Sequence, residues 1–493
     1  MFRKKVSNFK KKYYITTAID YLNAKPHIGH AWEKIVADVL ARWHRLNGED
    51  VFFLTGTDEH GEKVARAAEQ NGIEINKFVD GLAKEFKNSW EKLNISFDRF
   101  IRTTDPDHEK LVQEFIKKIF DNGDIYKGDY EGYYCVPCEA FYTESEAPDR
   151  ICPIHKKPLE LLKEESYFFK LSKYQDKLLE FYKQNPEFIS PVHRRDEIIN
   201  RINEGLKDLS ITRKAIKWGV PFSIDKNFVL YVWVDALLNY ITALGWPKGK
   251  FKKYWPADLH IVGKEINWFH TVIWPAMLFS VGVERPKKVF AHGWLTLEGQ
   301  KISKSLGNVI DPVYLVEKYG ADAVRYYIIR QIPFGEDGDF SEKALVERIN
   351  GELVADLGNL VYRVLTLAER FDGKIEGKDE LSKNFDLKKI DECFEKVELH
   401  NAIGEVWNFI RATNKYINEK EPWKLKGKEL GNVLYNLLEA VRIISILISP
   451  FLSESSERIN KQLGVKAGAL KDCKFKEWKG KVKKGKYLFQ KIE

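Results

Sequence analysis

Two continuous apolar runs with a helical stripe between them open the chain. YYITTAI (13–19) is rich in β-formers and is followed by the turn-like DYLNAKP; Ala31, Ile35, Val39 and Trp43 then recur at helical spacing, with Ile28, Val36, Leu40 and Leu46 widening the apolar face. Gly48 offers a stop, and VFFLTGTD (51–58) is another buried-strand run, so the opening predicts a βαβ unit with parallel strands. The alternation returns with LHIVG (259–263), a helical EINWFHTVIWPAMLFSVG and the strand KKVFAHGWLTL. Two such halves predict an α/β fold with a Rossmann-like, doubly wound parallel sheet whose ligands lie at the carboxyl ends of its strands.

Between the halves the pattern breaks into short, polar, aromatic-dotted stretches around a Cys/His cluster. After about residue 350, segments such as GNVLYNLLEAVRIISILI are helical with few strand signals. The expected division is residues 1–119 and 223–349 for the two halves of the sheet domain, 120–222 for a connective insert, 350–470 for a helical bundle, and 471–493 for a basic C-terminal tail, packed or mobile, rather than a further domain. No fixed-period repeat occurs.

Composition adds limits. With 493 residues, 44% hydrophobic and 31% charged, the chain is an ordinary globular one of several domains. Its net charge of +8 leaves room for an anionic partner. The basic start lacks the apolar run and cleavage site of a secretory signal, and no window approaches 18 uninterrupted apolar residues, so neither export nor a membrane span is expected and the location should be cytoplasmic.

Cys135-x-x-Cys138, thirteen intervening residues and Cys152-x-x-His155 have zinc spacing: two tight turns, each offering a pair of ligands to one tetrahedral ion. Four protein ligands leave no open position, so the expected Zn2+, one per chain, is structural. Cys393 and Cys473 stand apart from it.

His27, Ile28, Gly29 and His30 fall at the first turn of the first helix, just after a strand. Free N–H groups and partial positive charge there attract phosphate, and two imidazoles can hydrogen-bond its oxygens. Much later, Gly299 and Gln300 lead into Lys301, Ile302, Ser303, Lys304 and Ser305, a cationic, serine-rich loop able to cover a pyrophosphate.

The pair, His-Ile-Gly-His on the first βα turn and Lys-Ile-Ser-Lys-Ser after the last strand, resembles the signature of class I aminoacyl-tRNA synthetases. Over essentially the whole chain the similarity is to the methionine enzymes, in the subgroup with a single zinc knuckle, and the insert is too short for the editing domain of the leucine, isoleucine and valine enzymes. The resemblance implies a methionine-tRNA ligase that activates L-methionine with ATP, accompanied by Mg2+, and passes it to the 3′ end of tRNA(Met), serving initiation and elongation. It assigns charge stabilisation to His27, His30, Lys301, Lys304 and Arg213, and ATP binding to His27, Gly29, His30, Gly293, Ile302 and Lys304. It assigns the methionine pocket to Ala18, Ile19, Tyr21, Asp58, Trp233, Ala236, Tyr240, Ile266, His270 and Trp274, with Asp58 holding the α-ammonium; aromatic edges and a small Ala suit an unbranched thioether. Glu265 stands where many relatives carry Asp.

In the helical part Asn359 and Arg363 lie four apart, and Trp423 follows Pro422 among lysines; the resemblance makes these three readers of a CAU anticodon. No tRNA-binding module of the OB type follows the bundle, so a monomer is expected. Two other readings stay open: a synthetase for another amino acid, such as cysteine, and a synthetase-derived RNA-binding protein without catalysis.

Overall fold

The computed structural model describes residues 10–135, 140–142, 147–153, 156–297, 299–301 and 309–493. Its centre is a seven-stranded sheet: β1 (Lys12–Thr17), β2 (Asp20–Tyr21), β3 (Asp50–Asp58), β4 (Arg99–Arg102), β5 (Ile189–Ser190), β6 (Leu259–Gly263) and β7 (Val289–His292). The lateral order is β4-β3-β1-β6-β7-β5, with β2 continuing β1 along the edge of β3, and every pairing is parallel. Apolar side chains on both faces of β1, β3, β6 and β7 explain the unbroken runs in the sequence, since a parallel sheet is covered on both sides. The order reverses between β1 and β6, and the crevice of a doubly wound sheet opens at that point.

The expected insert holds a four-stranded antiparallel sheet, Ala140–Tyr142, Ile125–Cys135, Glu160–Phe169 and Leu209–Ser210 in that order. Within the same range the chain returns to the main sheet, because Ile189 and Ser190 of β5 pair with Val289 and Phe290 of β7. The insert therefore shares a core with the sheet domain, through Phe188, Ile189 and Tyr182. A smaller sheet follows: β8 (Leu295–Leu297) lies antiparallel to β9 (Gln300–Lys301) and parallel to β10 (Gly338–Phe340).

Helix α1 (Ile28–Leu46) is buried on nearly all sides, between the sheet and the helical part. Trp43 stacks on Phe394 at 3.9 Å and donates its indole N–H to Asp391 (2.9 Å), and Asp38 meets Arg325 at 2.7 Å with both side chains fully buried. Helical backbone runs without a break from Glu342 to Glu369, through a π-helical stretch at Ile349–Gly358, into α4 (Asn359–Glu369), which follows α2 (Pro106–Asp121) and α3 (Val232–Leu237) in the chain. The boundary expected at 350 thus falls inside a continuous helix. The bundle adds α5 (Leu399–Lys420), α6 (Gly427–Ile448) and α7 (Ser453–Leu463). Among the described residues α6 alone is long and apolar enough to cross a membrane, yet 94% of its apolar window is buried in the bundle, where it is the core helix. The segment after α7 packs back on the bundle, burying Leu470, Cys473 and Leu488.

Candidate active site

A cleft of about 1520 Å³ opens where the sheet order reverses. Ala18 beyond β1, Gly263 at the end of β6 and His292 at the end of β7 form its floor, and the first turn of α1 forms one wall.

That turn is built by its own histidines. His27 is the extended N-cap residue; its Nδ1 accepts from Gly29 N–H (3.1 Å), while Nδ1 of His30 accepts from His27 N–H (3.2 Å), a reciprocal capping box made with imidazoles. A methyl at Gly29 would sit 2.9 Å from the His27 ring, so glycine is what lets that ring fold back as a cap. Because backbone N–H groups occupy both Nδ1 atoms, each neutral ring carries its proton on Nε2, where it is a donor. Burial, then His27 and Lys34, hold His30 well below the usual histidine range, so it is neutral near pH 7.

The far end of the lysine loop closes on this turn, as Ile28 N–H donates to Ile310 O (3.0 Å). Gly293 also lines the cleft; a Cβ there would lie 2.2 Å from Glu336 O, so only glycine permits that backbone crossing. The backbone of Lys301 ends the β8–β9 hairpin, opposite Thr296. Ile302 and Lys304, with Ser303 and Ser305, lie outside the described residues.

The cleft is lined further by Ile19, Tyr21, Asp58, Trp233, Ala236, Tyr240, Ile266 and His270, brought together with Ala18 from the ends of β1, β2 and β3, from α3 (Val232–Leu237), from the short helix Asn239–Thr242 and from the segment after β6. His270 Nδ1 donates to Ile266 O (2.9 Å), which leaves Nε2 to accept from the Tyr240 hydroxyl (2.7 Å). Burial lowers His270 to about 4, so this pair is neutral. Trp233 stacks on Phe269 at 4.0 Å. Trp274 differs from expectation: it does not line the cleft but packs behind Tyr240, with ring centres 6.1 Å apart, because the helical turn carrying it faces the core. Arg213 does line the cleft, its guanidinium held by Thr212 O (2.8 Å) and Ser210 Oγ (3.0 Å) above the Tyr231 ring.

Residues 13–158 and 145–365 match a family profile described as tRNA synthetases class I (M), and residues 383–491 match the anticodon-binding domain of tRNA ligase. A methionine–tRNA ligase of Caldanaerobacter subterraneus subsp. tengcongensis is 49% identical, over 98% of this chain and 79% of that protein; one of Thermotoga maritima is 52% identical, over 91% and 74%. Among solved structures, the Mycobacterium tuberculosis methionyl-tRNA synthetase in complex with methionyl-adenylate matches with a TM-score of 0.93 at 41% identity, covering 97% of this chain and 99% of that one. The chain belongs to the class I methionyl-tRNA synthetases. It is a methionine–tRNA ligase, and the readings as a cysteine enzyme or a non-catalytic derivative fall away.

Two polar networks around the synthetase cleft escape a reading of sequence alone. Lys34 is 1% exposed, and its ammonium donates to Asp20 Oδ1 (2.7 Å), Glu33 Oε1 (2.9 Å) and Ala18 O (3.0 Å), while Glu33 Oε2 meets His292 Nε2 at 3.1 Å. Burial pulls Lys34 down, but Asp20 and Glu33 outweigh it and leave the amine above its usual value; burial, only partly offset by Lys34, pushes Asp20 up to about 7. The network ties α1 to the strand end that carries Ala18, Ile19 and Tyr21. Asp235 on α3 is the centre of the second: its oxygens meet His60 Nδ1 (2.7 Å) and, from α2 (Pro106–Asp121), His108 Nε2 (2.8 Å). The signals were faint: two adjacent charges, Glu33 and Lys34, inside an apolar helix, and the His of GTDEHG.

In the insert, Cys135 and Cys152 are buried; with Tyr133, Ala147 and Leu159 they make a small separate core. Cys138 and His155 lie outside the described residues. Lys156 N–H donates to Cys152 O (2.8 Å). In the bundle Asn359 is exposed one turn before Arg363, whose guanidinium lies 5.9 Å from the ring centre of Trp423; that indole is 55% exposed, presented by a short turn after left-handed Glu421.

Proposed function

We propose that ATP lies across the His27–Gly29–His30 turn and Gly293, and that methionine occupies the adjoining recess of Ala18, Ile19, Tyr21, Trp233, Ala236, Tyr240, Ile266 and His270, with its ammonium on Asp58. The observation that carries this reading is the single cleft into which both sets open. The methionine carboxylate then attacks the α-phosphorus in line, pyrophosphate leaves, and a 3′-terminal ribose hydroxyl of tRNA attacks the resulting acyl phosphate with release of AMP. Nε2–H of each imidazole donates to phosphate oxygens as charge grows there, joined by Arg213, Lys301 and Lys304; this is positioning and electrostatics rather than proton transfer. Mg2+ would accompany the triphosphate, neutralising it.

The neutral Tyr240–His270 pair gives the recess polar edges without a charge, which suits a thioether and disfavours cationic or anionic side chains. Cys135, Cys138, Cys152 and His155 would hold one structural Zn2+, which fits the burial of the Cys135 and Cys152 thiols together in one small core. Asn359, Arg363 and Trp423 would read the CAU anticodon. We place the reaction in the cytoplasm, with the tRNA it charges.

ATP–pyrophosphate exchange tests the cleft: methionine alone of twenty amino acids should support it, and His30→Ala should lower kcat about 10²–10³-fold, as loss of a transition-state donor does. An unchanged kcat would refute the phosphate assignment. Trp423→Ala should cut aminoacylation severely while leaving exchange intact; equal losses would refute the anticodon assignment.

A further inference from the structure

The positive charge of the chain is concentrated in one segment. Lys471–Glu493 carries nine lysines against three acidic residues, a net +6 of the chain's +8. Its backbone is fixed to the bundle. Arg442 of α6 donates to Asp472 O (2.9 Å) and Lys474 O (2.8 Å), Lys483 N–H donates to Gln462 O (2.8 Å), Lys484 N–H to Glu369 (3.0 Å), and Arg458 to Leu488 O (2.7 Å). The segment is thus a docked strap, and its lysine side chains project from it. Lys476 and Lys479 pair with acidic residues of the strap itself, but among the described residues Lys481, Lys483 and Lys486 form no ion pair and are exposed.

An aromatic pair adjoins these lysines. Tyr487 of the strap is 54% exposed and stacks on Tyr362 of α4 at 4.0 Å, and the Lys484 ammonium lies 4.0 Å from the Tyr362 ring centre. Tyr362 immediately precedes Arg363, so cations and rings continue around α4 from Trp423 and Arg363 to Tyr487 and the lysines. Fixed, unneutralised ammonium groups beside an open ring match a polyanion bearing planar bases.

We propose that the strap is a second tRNA surface, on which Lys481, Lys483 and Lys486 neutralise phosphates of the anticodon stem next to the loop-reading residues. The proposal rests on the assignment of Asn359, Arg363 and Trp423 to the anticodon. Ordering the lysines during folding, before RNA arrives, lowers the entropy lost on binding.

The test is the triple variant Lys481→Gln/Lys483→Gln/Lys486→Gln. Its KM for tRNA should rise about tenfold, and because each phosphate contact contributes roughly one unit, the slope of log KM against log salt should flatten by about two to three units. Methionine-dependent exchange should be unchanged. An anticodon stem-loop hairpin should inhibit wild-type aminoacylation and inhibit the variant much less, whereas charging of an acceptor minihelix should be equal in both. Unchanged KM and salt slope would overturn the proposal, and so would a loss confined to the acceptor minihelix, which would move the contact to the other arm. Should the triple variant melt early, Lys481→Gln and Lys486→Gln singly should each flatten the slope by about one unit, and no change in either overturns it. Failure of the anticodon assignment itself would appear separately, as full aminoacylation by Trp423→Ala.

Discussion

Lys34→Met removes a charge while nearly keeping length and volume, so packing should cost less than about 1.5 kcal/mol and the remainder is electrostatic. The ammonium lost is the donor to Asp20, Glu33 and Ala18 O. Removing one partner of a buried ion pair costs about 3–5 kcal/mol, because the remaining charge is left uncompensated. Asp20 can relieve part of that by taking a proton. Its carboxyl sits at about 7 in the folded protein, against ~3.9 for an ordinary aspartate. The folded state therefore keeps a proton that the unfolded chain releases, and the contribution of Asp20 to stability is full below pH ~4, falls as pH rises, and levels off above about 7, a difference of order 4 kcal/mol at ~1.4 kcal/mol per unit. Without Lys34 the carboxyl rises further, so the decline continues past pH 7. Urea unfolding should then show a variant deficit near the full 3–5 kcal/mol at pH 8, and smaller by up to ~1.4 kcal/mol at pH 5, since the two proteins diverge only over the one unit from pH 7 to 8. KM for methionine should rise with it, since the strand end carrying Ala18, Ile19 and Tyr21 loses its tie to α1. A deficit below ~1 kcal/mol, or one equal at both pH values, would refute the reasoning.

Asp235→Asn should raise KM for methionine about tenfold with little change for ATP, because Asp235 orients the helix carrying Trp233 and Ala236; equal effects on both substrates would contradict it. Burial alone would lower His60, but Asp235 outweighs it and the imidazole titrates above its usual value; the pairing is therefore fully stabilising below pH ~6.5 and fades as pH rises through the raised value, a slope that Asp235→Asn should abolish in urea titrations. Trp43→Ala, which deletes the stack on Phe394 and the bond to Asp391, should cost about 3–5 kcal/mol and reduce aminoacylation more than exchange. Metal analysis should find one zinc per chain, and Cys152→Ser should lower that content while exchange persists; full zinc in the variant would exclude this thiol as a ligand.

What the sequence disclosed follows the range of the forces involved. Strands buried on both faces leave continuous apolar runs, so β1, β3, β6 and β7 could be read directly, and the family was legible in the residue types of His27–His30 and Lys301–Ser305. Strand β5 could not be seen: it is two residues long and forms only because Phe290 and Val289, a hundred positions away, present an open edge. At the expected boundary near 350 the helix continues by slipping into π-helical geometry, carrying Gly351 and Gly358 through it without a break. Trp274 shared the aromatic spacing of its neighbours, and spacing does not reveal which side of Tyr240 a ring will occupy. Lys34 and Asp235 would be assigned to a wet surface by charge alone; their partners are supplied by tertiary folding, Asp20 across a turn and His60 from 175 positions away.

Helix α1 has no idle face. Its first turn is capped by imidazoles, its flank is tied through Lys34 to the strand end that carries Ala18, Ile19 and Tyr21, and Trp43 near its other end is clasped by the bundle. With 19 residues it is a rod ~28 Å long at 1.5 Å per residue. Any tilt of the bundle levers the histidines as well, so the spacing between the cleft and the bundle is gauged by a single stiff ruler rather than by a hinge.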